Sequence, residues 1–124
     1  MPAPEELLQI QSHIDGVVGE LSLQGQLIAE TRYEVEGVLR EWIQHDLSCL
    51  IIRCARLTHI DSGGLSLLMG WRHRFQEKGG GLVLTELTSS IQALFATSAL
   101  DRFFDTFPTI DAARAHFDTD TTET

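Results

Sequence analysis

The sequence predicts an α/β domain: a mixed sheet of four to five strands, an antiparallel hairpin at its N-terminal edge, parallel βαβ crossovers and about four helices. Three observations predict it. The run Cys49-Leu50-Ile51-Ile52 is apolar at every position, as expected of a central strand covered on both faces. Strand-like and helix-like spacings of apolar residues alternate from residue 29 onward, a succession that demands right-handed crossovers and a mostly parallel sheet. Before that, two alternating stretches flank Asp15-Gly16, a hairpin turn signal.

Taken in order, residues 1–6 are expected to be a loose tail. Leu8, Ile10 and Ser12 alternate with Gln9, Gln11 and His13, giving a first strand. A second, over 17–24, has Leu21 and Leu23 alternating with Glu20, Ser22 and Gln24. Gly25-Gln26-Leu27-Ile28 is expected to leave the sheet. Residues 29–45 then turn helical, with Tyr33, Val35, Val38, Leu39, Trp42 and Ile43 at helical spacing. Thr31 with Glu34 fits a capping box at its start. The central strand is expected over 48–55.

The stretch Leu57-Thr58-His59-Ile60-Asp61-Ser62-Gly63-Gly64-Leu65 then reads as a turn into a helix that ends near Lys78. Leu65, Leu68, Met69 and Phe75, with the stem of Arg72, mark its inner face. Leu67 and Trp71 form either an exposed ridge or a contact under the loop after the second strand. Gly79-Gly80-Gly81 stops the helix. A short strand follows over 82–86. Ser89 or Ser90 should cap a helix reaching about Ala99, with Ile91, Leu94 and Phe95 facing in. A short last strand is expected over 103–107. A final helix should span 111–117, with Ala112, Ala115 and His116 as packing candidates, and 118–124 should be a disordered acidic, threonine-rich tail. One domain therefore spans 7–117, with no internal linker or repeat.

Composition narrows the function. The chain has 124 residues, 43% hydrophobic and 22% charged, which suits one globular domain. Its net charge of −9 argues against nucleic acid, which needs a basic surface to displace counterions. The apolar runs are too short to cross a bilayer, so direct membrane insertion is not expected. The opening Met1-Pro2-Ala3-Pro4-Glu5-Glu6 has no basic-then-apolar export pattern, and a cytoplasmic protein is expected. Cys49 and Cys54 stand at an odd separation on one strand, so they point to opposite faces and act as buried, reduced thiols. His13, His45, His59, His73 and His116 form no metal spacing with each other or with the cysteines, and no metal or cofactor is expected.

One place carries chemistry. Ser62 stands at or beside the first residue of a helix, where free N–H groups and the positive dipole end favour an anion. Gly63 and Gly64 offer a partner close backbone access. A phosphoryl group on Ser62 would gain from the helix N-terminus and add roughly two negative charges beside Asp61. The simpler role for Ser62 or Asp61 is a plain N-cap. A nucleophile elbow needs Gly-x-Ser-x-Gly, and Ile60 precedes Ser62 by two residues, so a hydrolase is rejected. Trp71, Arg72, His73, Arg74 and Lys78 form a basic cluster that suits a solvated helix end, with an acidic-partner contact as the alternative.

The order of elements, the strand Leu50-Ile51-Ile52, the turn Ile60-Asp61-Ser62-x-Gly64-Leu65 and the glycine stop before Leu82-Val83-Leu84 resemble the STAS domain. So does the late stretch Ile91-Gln92-Ala93-Leu94-Phe95-Ala96-Thr97-Ser98-Ala99-Leu100-Asp101-Arg102-Phe103. The chain looks most like a stand-alone anti-sigma-factor antagonist. That resemblance implies a non-enzymatic module for partner switching in transcription regulation. It implies a serine kinase that is also an anti-sigma factor as partner, a phosphatase that resets the cycle, and Ser62 as phosphoacceptor. Partner contacts are expected from Gln26, Leu27, Ile28, Thr58, His59, Asp61, Gly63, Gly64 and Ser66. A homodimer is left open. The sequence departs from the family at Ile28, where many antagonists carry an acid. The alternative is therefore a STAS-type accessory subunit of a transporter or stressosome assembly, with no phosphorylation cycle.

Overall fold

The computed structural model describes residues 4–122, with side chains described for 6–118. A short helical turn, α1 (Pro4–Leu7), leads into β1 (Leu8–Asp15) and β2 (Val18–Leu27). There follow α2 (Arg32–Gln44), β3 (Cys49–Ile60), α3 (Ser62–Glu77), β4 (Gly81–Thr85) and α4 (Ser89–Thr97). A 3-10 turn (Leu100–Arg102), β5 (Asp105–Phe107) and α5 (Ile110–Thr122) complete the chain.

The five strands lie in the order β1-β2-β3-β4-β5. β1 and β2 are antiparallel, with Asp15 opposite Val18, and Gly16 turns between them with φ 63°. A left-handed φ at the first turn residue suits glycine and matches the twist of a two-residue hairpin. Every other neighbouring pair is parallel. This is the mixed sheet that the sequence predicts.

Alternation along β3 builds two cores. Leu50, Ile52 and Cys54 point into the larger one, with Val35, Leu39 and Trp42 of α2, Leu68 and Phe75 of α3, and Ile91 and Phe95 of α4. Cys49 and Ile51 point the other way, onto Val83, Ala113 and Phe117. So among the described residues α5 alone covers the second face, and only part of it. The cysteines are unbridged, buried and on opposite faces. Burial pushes the Cys54 thiol up to about 12, which suits an inert apolar filler.

The second face also carries two ion pairs that hydrophobic spacing does not reveal. Arg114 of α5 donates to both carboxylate oxygens of the buried Glu20, at 2.6 and 2.8 Å. Arg53 donates to Glu86 at 2.9 and 3.3 Å, and Thr85 Oγ1 donates to the same carboxylate at 2.9 Å. The Arg114 hydrogen bonds hold Glu20 below the ordinary glutamate range against the opposing effect of burial.

Several local expectations are corrected. β2 does not end at Gln24; Gly25, Gln26 and Leu27 stay in the sheet opposite Leu57, His59 and Ile60. β3 likewise runs through Ile60. Thr31 stands at the start of α2 but does not cap it. Its hydroxyl instead accepts from Ile28 N and donates to Gln26 O, because it is buried under the loop.

On α3 the inner face is rotated from the expected one. Leu67 and Trp71 are buried beside Arg32 and Glu36 of α2, so they form no exposed ridge, while Met69 is exposed. Lys78 is no member of a solvated basic cluster: its ammonium donates to the carbonyls of Ile43, His45 and Leu47 at 2.8, 2.8 and 2.9 Å. Thr88, not Ser89 or Ser90, caps α4 by accepting from Ile91 N. β5 is shorter than expected, and Phe103 is exposed before it. Ala113 and Phe117 are the buried residues of α5, rather than Ala112 or Ala115; the His116 ring lies against Phe107 and Phe117. α5 also continues past 117 to Thr122. Of the expected tails, 1–3 and 123–124 lie outside the described residues.

Two measurements check these cores. Leu50→Ala, a large-to-small change at a fully buried site, should lower stability by about 2–5 kcal/mol in denaturant unfolding; a loss under about 1 kcal/mol would show β3 is not central. Glu20 has a lower pKa folded than unfolded. Its contribution is therefore complete above the ordinary glutamate range and disappears as pH falls through the depressed folded value. Unfolding curves on the acid side of that range should show this loss in the native chain and a smaller one in Arg114→Ala.

Candidate functional site

The site forms where the parallel β2–β3 pair ends. Gln26 lies opposite His59 and Leu27 opposite Ile60, so the β2–α2 loop and the start of α3 leave the sheet side by side. Asp61 has extended backbone (φ −109°, ψ −173°) and is the N-cap of α3. One carboxylate oxygen accepts from Gly64 N at 3.0 Å. The other reaches across the chain and accepts from Ala29 N at 3.1 Å. The Asp61 backbone N–H donates to Leu27 O at 3.2 Å. One residue thus caps a helix and clips a loop to it.

These bonds set the electrostatics. The Gly64 N–H, aided by the Ala29 and Gly63 N–H groups, holds the Asp61 carboxyl below the ordinary aspartate range. Ser62 follows as the first residue of α3 and is exposed. Among the described residues its hydroxyl makes no hydrogen bond to the protein. It stands free at the positive end of a helix of 16 residues.

The two glycines serve a different purpose from the expected one. A Cβ on Gly64 would lie 2.3 Å from Leu27 O and 2.9 Å from Ile60 Cγ1; on Gly63 it would lie 2.9 Å from Ala29 Cα. They let α3 begin hard against β2 and its loop. Gly64 is buried, and so is Leu27, so neither offers the partner contact expected of it. Ser62, Thr58, His59 and Ser66 are exposed; Gln26, Ile28, Asp61 and Gly63 are half-buried. Thr58 Oγ1 donates to Gly25 O at 3.0 Å, which ties it to the same junction.

Two members of the junction escaped the sequence reading. Ala29 contributes only a backbone N–H, which no residue type announces. Thr31 braces the loop from inside, and its place before a helix points to a cap instead. Exposed Tyr33 on α2, whose ring lies 4.9 Å from the Arg32 guanidinium, adds an apolar surface to one helix flanking the junction, and Met69 adds one to the other. No group of three or more His, Cys, Asp or Glu able to hold a metal occurs among the described residues. No described helix is long and apolar enough to cross a membrane.

The family model described as "STAS domain" matches residues 9–113. The chain belongs to the STAS domain family. Solved structures share the STAS fold at low identity. The unphosphorylated anti-sigma factor antagonist SpoIIAA, a cell fate determinant of Bacillus, superposes with a TM-score of 0.77 at 19% identity, over 89% of this chain and 96% of that one. An anti-sigma factor antagonist from Mycobacterium paratuberculosis gives 0.74 at 20% identity, over 88% and 92%. A sulfate transporter family protein from Wolinella succinogenes gives 0.71 at 20% identity, over 84% and 87%.

Loss of the clip should be measurable. Asp61→Ala should cost about 0.5–2 kcal/mol, the usual range for an N-cap. Amide exchange should accelerate at Ala29 as well as at Gly64; unchanged protection at Ala29 would mean the cross-chain bond does not hold the loop.

Proposed function

We propose that this STAS domain is a phosphorylation-regulated binding module, an anti-sigma-factor antagonist without catalysis of its own. Ser62 is the phosphoacceptor. The observation that carries this reading is the exposed, unbonded Ser62 hydroxyl at the N-terminus of α3, beside a carboxylate already engaged with backbone N–H groups. Because Asp61 supplies the cap, Ser62 is not needed as one. The hydroxyl is therefore available to a kinase without unfolding the helix start.

The likeness to antagonists of known structure supports the partner class: a serine kinase that is also an anti-sigma factor, bound by the unphosphorylated domain and released on phosphorylation, with a phosphatase to restore it. Thr58, His59, Ser66 and the exposed parts of Gln26, Ile28, Asp61 and Gly63 surround the acceptor as the docking surface. A phosphate on Ser62 brings roughly two negative charges to a surface that holds Asp61 in a strongly acidic chain. Like-charge repulsion and lost fit at the docked surface then change the partner, with no large change of fold.

A second reading has one specific support. Ile28, half-buried in the junction loop, stands where many antagonists carry an acid. An accessory subunit of a transporter or stressosome assembly, with no phosphate cycle, fits that substitution and the likeness to a sulfate transporter family protein.

Incubation with the cognate kinase and ATP, followed by mass spectrometry, separates the two. Label on Ser62 that is absent from Ser62→Ala supports the switch; no label, with stoichiometric co-purification with a transporter, supports the accessory role. Ser62→Asp should weaken kinase binding with a nearly unchanged melting temperature, as measured by titration calorimetry and thermal unfolding. Unaltered affinity would count against the switch.

A further inference from the structure

The two edges of the sheet are unlike. β5 is three residues long, begins with Asp105 and is followed at once by Pro108. Short length, charge and proline are the usual protections of a sheet edge. β1 is long, has no proline and carries an acid only at its last position. It is eight residues long, pairs with β2 in unbroken register with no bulge, and among the described residues has no strand on its other side. It contains no lysine, arginine or proline, and in a chain of net charge −9 its single acid is Asp15 at the very end. It also ends in apolar surface: Ile14 is 51% exposed and Val17 in the turn is 38% exposed.

We infer that β1 is a self-association edge, and that a second copy of this chain adds its own β1 antiparallel to it about a two-fold axis at Ser12. Strand period fixes the register. Opposed residues share a face, so the axis must pass through a residue, not between two. Leu8 and Ile10 belong to the helix-covered face, and alternation places Ser12 and Ile14 on that face too. With the axis at Ser12, Ile14 of each copy meets Ile10 of the other and its exposed side chain is covered. On the opposite face Gln11 meets His13 and Gln9 meets Asp15, so no like charges face each other. An axis at Gln11 would instead set Ile14 opposite Leu8, which is already buried, and Ile10 opposite Ser12. The result is one continuous ten-stranded sheet with an isologous contact. An eight-residue pairing is a small interface, so the association is weak and rises with concentration. Ser62 follows β3, two strands in from this edge, so the contact does not use its hydroxyl, and the inference does not depend on the reading given for it.

The full chain in light scattering after gel filtration should gain mass toward the dimer as its concentration rises. Ile14→Lys should weaken this roughly tenfold or more, since the two-fold axis removes the apolar cover at both ends of the pairing and sets an ammonium over each Ile10 instead. Opposed residues in an antiparallel pair lie about 4.5–5.5 Å apart at Cα, within disulfide reach. Ser12→Cys should therefore form an intermolecular disulfide under mild oxidation, and Gln11→Cys should not. The native Cys49 and Cys54 are buried and do not compete. Circular dichroism on each variant confirms the fold, which these exposed positions leave intact. Linkage at Gln11 rather than Ser12 would overturn the register. A monomer at every concentration, with no linkage at either position, would overturn the proposal.

Discussion

The parallel pairing of β2 with β3 is the constraint on which the rest depends. It is the longest pairing in the sheet, from Val18 opposite Cys49 to Leu27 opposite Ile60. It fixes where two chain segments leave the sheet together. The Asp61 clip is only possible because that exit brings Ala29 N–H and the first turn of α3 to one carboxylate. The glycines at 63 and 64 answer the same constraint: they keep the approach close enough for the clip to form. The exposed hydroxyl of Ser62 is thus a consequence of sheet register before it is a property of a helix terminus.

That register also explains what the sequence concealed. β3 carries two irregularities against β2, between the pairs at Ser22 and Gln24 and between those at Gly25 and Gln26. Each gives β3 one extra residue. Its inward positions therefore run Cys54, Leu57, Ile60, three apart, instead of alternating. A spacing of three does not read as a strand, so Leu57 to Ile60 resembles a turn and the true end of β2 is missed with it. The regular parts were legible for the same reason in reverse. Cys49 to Ile52 is apolar throughout because both faces are covered, and the Asp15-Gly16 hairpin follows from local turn chemistry alone.

The site was legible in its covalent order and not in its contacts. Asp61, Ser62 and the glycines stand out as a cap followed by a flexible pair. Their purposes are divided differently in space: the acid caps and clips, the glycines pack, and the serine alone is spare. Sequence spacing cannot report a backbone N–H from Ala29, 32 positions away, or the inward-turned hydroxyl of Thr31. Nor does it reveal Glu20, which alternation places on a half-covered face and which Arg114 reaches from 94 positions away.

Lys78 has a wider consequence. All three of its ammonium protons are taken by carbonyls at the end of α2 and the approach to β3. Arg53 and Arg114 are likewise turned onto buried or half-buried carboxylates. A third of the nine cationic side chains is therefore spent inward, joining pieces of the chain to one another. Of these, Lys78 neutralises no acid at all. Charge that a count of residues would leave to the surface is thus committed to joining α2, α5 and the sheet, so losing any of these three cations would loosen a join as well as change the net charge.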